Sequence, residues 1–205
     1  MENTMLWGSD SPYHQQAEPH MSAQWRMYLY PILRSCQAMK GIAVDLACGH
    51  GRLTSKLIKS FRLVFAIDVN PENVQYVSER FASDENVITR LCDGSSIPVA
   101  DNSVDVLICW DAMVHFSPDT IGSYLKEIRR ILTPTGIAVL HHSNISYDGA
   151  EPIDITERPH WRNDMSAFRF RKMAVSADLI VTEQRIISWG GIEDLDCITT
   201  LRRHA

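Results

Sequence analysis

The stretch Val44-Asp45-Leu46-Ala47-Cys48-Gly49-His50-Gly51 decides the reading of this chain. It ends an apolar run, Gly41 to Ala47, with the composition of a buried strand, and leads into Arg52 to Ser60, where Leu53 and Leu57 lie one helical turn apart. Gly49 and Gly51 let the backbone turn tightly between strand and helix and approach a ligand more closely than side chains would permit. The next apolar run, Leu63 to Val69, carries Asp68 near its end, seventeen residues after Gly51. That is close to the separation at which a carboxylate reaches ribose hydroxyls in nucleotide-binding α/β domains. The third glycine of a dinucleotide fingerprint is missing, and Thr54 stands in its place, which argues against a pyrophosphate site.

Downstream, short apolar runs alternate with amphipathic ones, as in βαβ units of a mostly parallel sheet. Asn70-Pro71 starts a helix reaching about Ala82 that buries Val74, Val77 and Phe81; Asn caps open N–H groups, and Pro at the first helical position sacrifices no hydrogen bond. Val87 to Cys92 and Val104 to Trp110 read as the third and fourth strands. Ser117-Pro118 opens a helix with Ile121, Leu125, Ile128 and Leu132 at helical spacing. Thr133-Pro134-Thr135-Gly136 stops it, and Ile137 to His142 forms the fifth strand. A polar segment, Asn144 to Asp164, leads to a helix over Met165 to Ala177 and to two β-rich runs, Leu179 to Trp189 and Cys197 to Arg203. Joined through Gly190-Gly191, these pair as an antiparallel hairpin at one sheet edge. Another helix, Ala23 to Met39, carries Trp25, Tyr28 and Tyr30. The fold expected is α/β, a doubly wound, mostly parallel, Rossmann-like seven-stranded sheet with an antiparallel C-terminal hairpin, all in one domain over 1–205.

The chain of 205 residues has 20 Lys plus Arg against 25 Asp plus Glu, so it offers no positive surplus for a phosphate backbone or an anionic membrane. Nucleic-acid and membrane partners are therefore not expected. Cys36, Cys48, Cys92, Cys109 and Cys197 stand singly with no C-x-x-C pair, which disfavours a disulfide framework or a zinc site. The N-terminus lacks the basic-then-apolar order of a signal peptide, and no apolar stretch has the length of a bilayer span, so a cytoplasmic location is expected.

Taken in order, V-D-L-A-C-G-H-G, A-I-D-V-N, C-D-G, C-W-D-A-M-V-H-F and T-P-T-G resemble the class I S-adenosylmethionine-dependent methyltransferases, closely over Gly41 to Asn144 and in layout elsewhere. The resemblance implies S-adenosylmethionine as cofactor and S-adenosylhomocysteine as product. Asp45, Ala47, Gly49 and Gly51 would face its methionine part, with Cys48 also among the cofactor-binding residues, Asp68 the ribose hydroxyls, Val69 the adenine face, and Asp93, Gly94 and Ser95 the adenine edge. Cys109 and Trp110 would line the methionine side. Residues 1–40 would then be a helical lid, 41–144 the cofactor-binding core, and 145–205 the acceptor-side segment and hairpin.

Displacement at a sulfonium chiefly requires the acceptor to be held in line, and an oxygen acceptor must also lose a proton. His115, His141 and His142 fall where the crevice of an open α/β sheet is expected. Of the two adjacent histidines, alternation lets at most one function, and His142, nearer the strand's end, is preferred, giving His115 and His142 as candidate bases. His160 and Trp161 could close over an acceptor. His50 faces the cofactor loop or solvent, and Arg169, Arg171 and Lys172 read as a solvated face. Asp111 invites comparison with metal-dependent relatives, but the further acidic and Asn positions are poorly matched, so no metal is assigned. The D/N-P-P-aromatic and Pro-Cys motifs of nucleic-acid methyltransferases are missing after the fourth strand, which favours a small-molecule acceptor, with a hydroxyl oxygen ahead of an amine. A silent cofactor-binding subunit and a nicotinamide-dependent oxidoreductase are the alternatives from other classes, and the oligomeric state is left open.

Overall fold

The computed structural model describes residues 11–39, 41–146 and 162–204. One sheet holds β1 (Ile42–Leu46), β2 (Leu63–Asp68), β3 (Val87–Leu91), β4 (Val104–Cys109), β5 (Leu132–Ser143), β6 (Leu179–Trp189) and β7 (Ile192–Arg203), in the order β3-β2-β1-β4-β5-β7-β6. Strands β1 to β5 pair in parallel, and β7 runs antiparallel to both β5 and β6. This is the doubly wound arrangement with an antiparallel hairpin that the pattern predicts. The hairpin turns at Gly190 and Gly191, both with positive φ, as a two-residue turn matched to strand twist requires.

Successive residues of β4 enter opposite apolar layers: Leu107 and Cys109 join one core cluster, Val106 and Ile108 the other. A strand covered on both faces has no polar side to show, hence its unbroken apolar run. The first layer takes α6 (Pro118–Ile131) and α7 (Ala167–Ser176) through Ile121, Leu125, Ile128 and Phe170. The second takes the N-terminal helices through Met21, Leu29 and Leu33, and α4 (Thr54–Leu57) through Leu57. Helix α5 (Pro71–Arg80) begins as read, with Asn70 Oδ1 accepting from Glu72 N at 2.9 Å, and α6 with Ser117 Oγ accepting from Thr120 N at 3.1 Å.

Two segments differ from the expected pattern. The N-terminal region is a broken run, α1 (Pro12–Ala17), α2 (Met21–Gln24) and α3 (Tyr30–Ser35), joined by a 3₁₀ turn at Glu18–His20 and a π turn at Trp25–Leu29. The widened turn precedes Pro31, whose ring would collide with the Met27 carbonyl in a regular helix. Thr133 to Gly136 does stop α6, but as an irregularity inside β5: pairing with β4 passes from Val104↔Leu132 to Val106↔Ile137. Among the described residues no helix is long and apolar enough to cross a membrane.

Candidate active site

Between β1 and β4 the sheet order reverses direction, the place where open α/β sheets leave a crevice beyond the carboxyl ends of their strands. A cavity of about 650 Å³ lies there. Of the sequence-derived candidates, Asp45, Ala47, Cys48, Gly49, Asp68, Val69, Asp93, Gly94, Trp110 and His115 line it, while Gly51, Ser95, Cys109 and His142 do not.

The turn after β1 is held from within. Cys48 N donates to Ile67 O, Gly51 N to Cys48 O, and Gly49 N to Asp68 Oδ2 at 2.9 Å. Asp68 Oδ1 accepts from Asn70 N at 2.9 Å and Asn73 Nδ2 at 3.3 Å, so one buried carboxylate ties the turn to the start of α5. The amides of Cys48, Gly49 and Gly51 are thus engaged inside the turn, and the helix that follows, α4, is only four residues long. Gly51 serves packing: at φ +77 a Cβ would stand 2.6 Å from Phe81 Cε2 on the flank of α5. Thr54, where a dinucleotide site would have its third glycine, donates its hydroxyl to Asp45 Oδ2 at 2.6 Å inside the fold.

Asp45 is buried, and desolvation raises its carboxyl to about 6 against partial relief from Thr54. Asp93 at the far end is opposite in character. The amides and hydroxyls of Ser96 and Ser95 all donate to its Oδ1, holding it ionised well below the usual carboxylate range, and among the described residues nothing donates to Oδ2. Ser95 thus sets Asp93 without reaching the cavity. The crevice therefore offers carboxylate oxygens at Asp45, Asp68 and Asp93, with the apolar Val69 and open backbone at Gly94 between the last two. These residues suit a ligand with an ammonium, a ribose and an amino-substituted ring, and suit a pyrophosphate poorly.

The histidines divide. His142 is fully buried on the α7 side of β5, its ring stacked 3.8 Å from that of Phe170. Its Nδ1 donates to the Ser143 carbonyl at 2.7 Å, which leaves Nε2 to accept from the Thr199 hydroxyl at 2.7 Å. Burial drives its pKa down to about 3. The placement of His142 at the crevice is thus corrected: both faces of β5 are covered, so nearness to the strand's end does not bring the ring into the cavity. His141, on the other face, accepts from Asp111 N at Nδ1 and donates from Nε2 to Asp196 Oδ2 at 3.0 Å. His115, in the 3₁₀ turn Met113–His115, lines the cavity. His50 is stacked between His14 and Tyr76, with centroids 3.8 and 3.9 Å away, and burial beside His14 lowers it to about 4. His160 and Trp161 lie outside the described residues.

Sequence reasoning missed the opposite wall. Tyr13 of α1 donates to Asp111 Oδ2, and Arg52 donates to the same oxygen at 3.0 Å and to Tyr13 Oη at 2.7 Å. All three line the cavity. Gln24 adds an oxygen that accepts from Trp110 Nε1 and Arg52, and Glu18 pairs with Arg80, so α1 and α2 cover the crevice. The only sequence signal would have been backbone geometry: Ala47 and Asp111 hold left-handed φ of 60° and 55°, a conformation that composition does not mark when the residue is not glycine.

Residues 43–136 match the family model described as Methyltransferase domain. The chain is 26% identical over 172 residues to a putative methyltransferase of Bacillus subtilis, covering 82% of this chain and 67% of that protein. It is 30% identical over 123 residues to a demethylmenaquinone methyltransferase of Staphylococcus aureus, covering 57% and 49%. It shares the fold of a Pyrococcus horikoshii protein, PH0226, at a TM-score of 0.70 and 19% identity over 97% of this chain and 95% of that one. Across four curated relatives the chain spans 35% to 67% of their lengths.

Proposed function

We propose that this chain carries a class I S-adenosylmethionine-dependent methyltransferase domain and transfers the cofactor's methyl group to a hydroxyl oxygen of a small-molecule acceptor. The single observation behind the cofactor reading is Asp68, which closes the β1 turn on itself and presents its carboxylate to the crevice. S-adenosylmethionine supplies an electrophilic methyl group when bound. Asp45 would hold its ammonium, Asp68 its ribose and Asp93 its ring amine, while α1 and α2 exclude water from above. His115, which lines the cavity, is the base proposed for the acceptor hydroxyl. The net acidic charge favours a small acceptor, as does similarity to a relative named for demethylmenaquinone.

Heating the protein with S-adenosylhomocysteine or with NAD tests this. A rise in Tm with the former alone is expected, because only a ligand that prefers the native state stabilises it, and a rise with NAD alone would overturn the reading.

Asp45 adds a pH dependence. Only its ionised form pairs with an ammonium, so affinity for S-adenosylhomocysteine should be flat above about pH 7 and fall toward tenfold per unit below about pH 6. The folded carboxyl titrates near 6 and an unfolded one near 3.8, so the folded, unliganded protein retains a proton between these values. Stability from this group is full below 3.8 and is lost as pH rises through 6, by about 3 kcal/mol, until a bound ammonium offsets it. The ligand-induced rise in Tm should therefore be greater at pH 8 than at pH 5. A pH-independent affinity would remove Asp45 from contact with the amino group.

A further inference from the structure

We infer that Asp111 Oδ1 is the anchor for the methyl acceptor, taking a hydrogen bond from an O–H or N–H group on it; the inference rests on the methyltransferase reading. Asp111 is the second residue after β4, at the point where the sheet order reverses. Asp45 pairs in register with Ile108, so Asp111 lies three residues further out than the carboxylate assigned to the cofactor's amino group. Its side chain is 10% exposed and lines the crevice.

Both donors to the Asp111 carboxylate, the Tyr13 hydroxyl and Arg52 Nη2, fall on Oδ2. Among the described residues nothing donates to Oδ1. A carboxylate brought this far out of water is normally satisfied at both oxygens, so the second oxygen has its partner in whatever fills the crevice. The group is also held from several sides. Its left-handed backbone at φ 55° is fastened by Asp111 N donating to His141 Nδ1, while Arg52 and Tyr13 fix the carboxylate plane. Fixing a substrate-facing group through such supports is what orients an acceptor for in-line attack. Because Arg52 already balances the charge of Asp111, neutral hydroxyl and amine donors suit this oxygen as well as ammonium does.

The variant Asp111→Asn gives a sharp test. Tyr13 and Arg52 both donate toward the Oδ2 position, so the amide oxygen must sit there and its NH₂ must face the crevice, turning an acceptor into a donor. Asn tolerates a left-handed backbone, and Asp111→Gly, which tolerates it equally, removes the group altogether. Benzyl alcohol, benzylamine, catechol and the donor-free 1,2-dimethoxybenzene are titrated into the S-adenosylhomocysteine-loaded wild type and both variants by ligand-observed NMR, with cofactor affinity measured alongside by calorimetry. At least one donor-bearing probe should bind the wild type at least tenfold more tightly than either variant, the donor-free probe should not discriminate, and cofactor affinity should stay within about twofold. Probe affinities within threefold for every compound, undetectable binding to all three proteins included, overturn the inference. So does a parallel loss of cofactor affinity, which would make Asp111 a cofactor residue. If the wild type itself fails to bind S-adenosylhomocysteine, it is the methyltransferase reading that has failed.

Discussion

Replacing Asp68 with Ala is expected to weaken S-adenosylhomocysteine binding by about 2–4 kcal/mol, roughly 30- to 700-fold in Kd. Two losses combine. The ribose would lose an acceptor that is charged and already oriented, and the β1 turn would lose the tie from Gly49 N to Oδ2 together with those from Asn70 N and Asn73 Nδ2 to Oδ1. The second loss also falls on the unliganded fold, where about 1–3 kcal/mol is expected, a fall in Tm of several degrees for a chain of this length. Asp68→Asn should not rescue binding. Two donors claim the Oδ1 position for the amide oxygen, which turns the NH₂ toward the Gly49 N–H at hydrogen-bond distance, donor against donor. Calorimetry with S-adenosylhomocysteine, read beside the unliganded Tm, separates the two losses. An affinity within threefold of wild type in Asp68→Ala would remove Asp68 from the ribose.

What could be read from the chain follows from which physical signals are local. Asn70-Pro71 and Ser117-Pro118 announce helix starts because capping is settled within four residues, and both caps form. The buried strands show as unbroken apolar runs because both faces of the sheet are covered. The place of Asp68 at the crevice was legible because a strand end and a glycine turn put it at the carboxyl edge of the sheet. By contrast, the wall made by Tyr13, Arg52 and Asp111 joins residues far apart in the chain through hydrogen bonds that no spacing encodes. His142 shows the limit of strand alternation: period two says which residues share a face, not whether that face is open, and α7 closes this one with Phe170. Thr133 to Gly136 carries the composition of a turn, and a bulge uses the same residues, so only pairing with β4 tells them apart.

Asp196→Ala should bring the largest loss of stability in the molecule away from the crevice, about 3–5 kcal/mol, or a fall in Tm on the order of 10 °C. Asp196 is fully buried, and its carboxylate receives Arg162 Nε and Nη2, each at 2.8 Å, and His141 Nε2 at 3.0 Å. Burial pushes its pKa upward, but His141 and Arg162 outweigh burial and hold it below the usual carboxylate range. Removing the carboxylate takes two charge-assisted hydrogen bonds from a guanidinium inside the fold, a more costly change than loss of a surface pair. With Asp196→Asn, Arg162 Nη2 and His141 Nε2 both claim the Oδ2 position for the amide oxygen, which turns the NH₂ toward Arg162 Nε–H, donor against donor. His141 thus keeps its partner at Nε2, and Nδ1 stays free of a proton to accept from Asp111 N at 3.2 Å. The conservative variant is therefore expected to recover only part of the Tm that Asp196→Ala loses and to leave both the donor-bearing acceptor probes and cofactor affinity unchanged. A Tm within 2 °C of wild type in Asp196→Ala would show that the buried pair contributes little. Weakened probe binding in Asp196→Asn would show that its amide is turned the other way, with the NH₂ against His141.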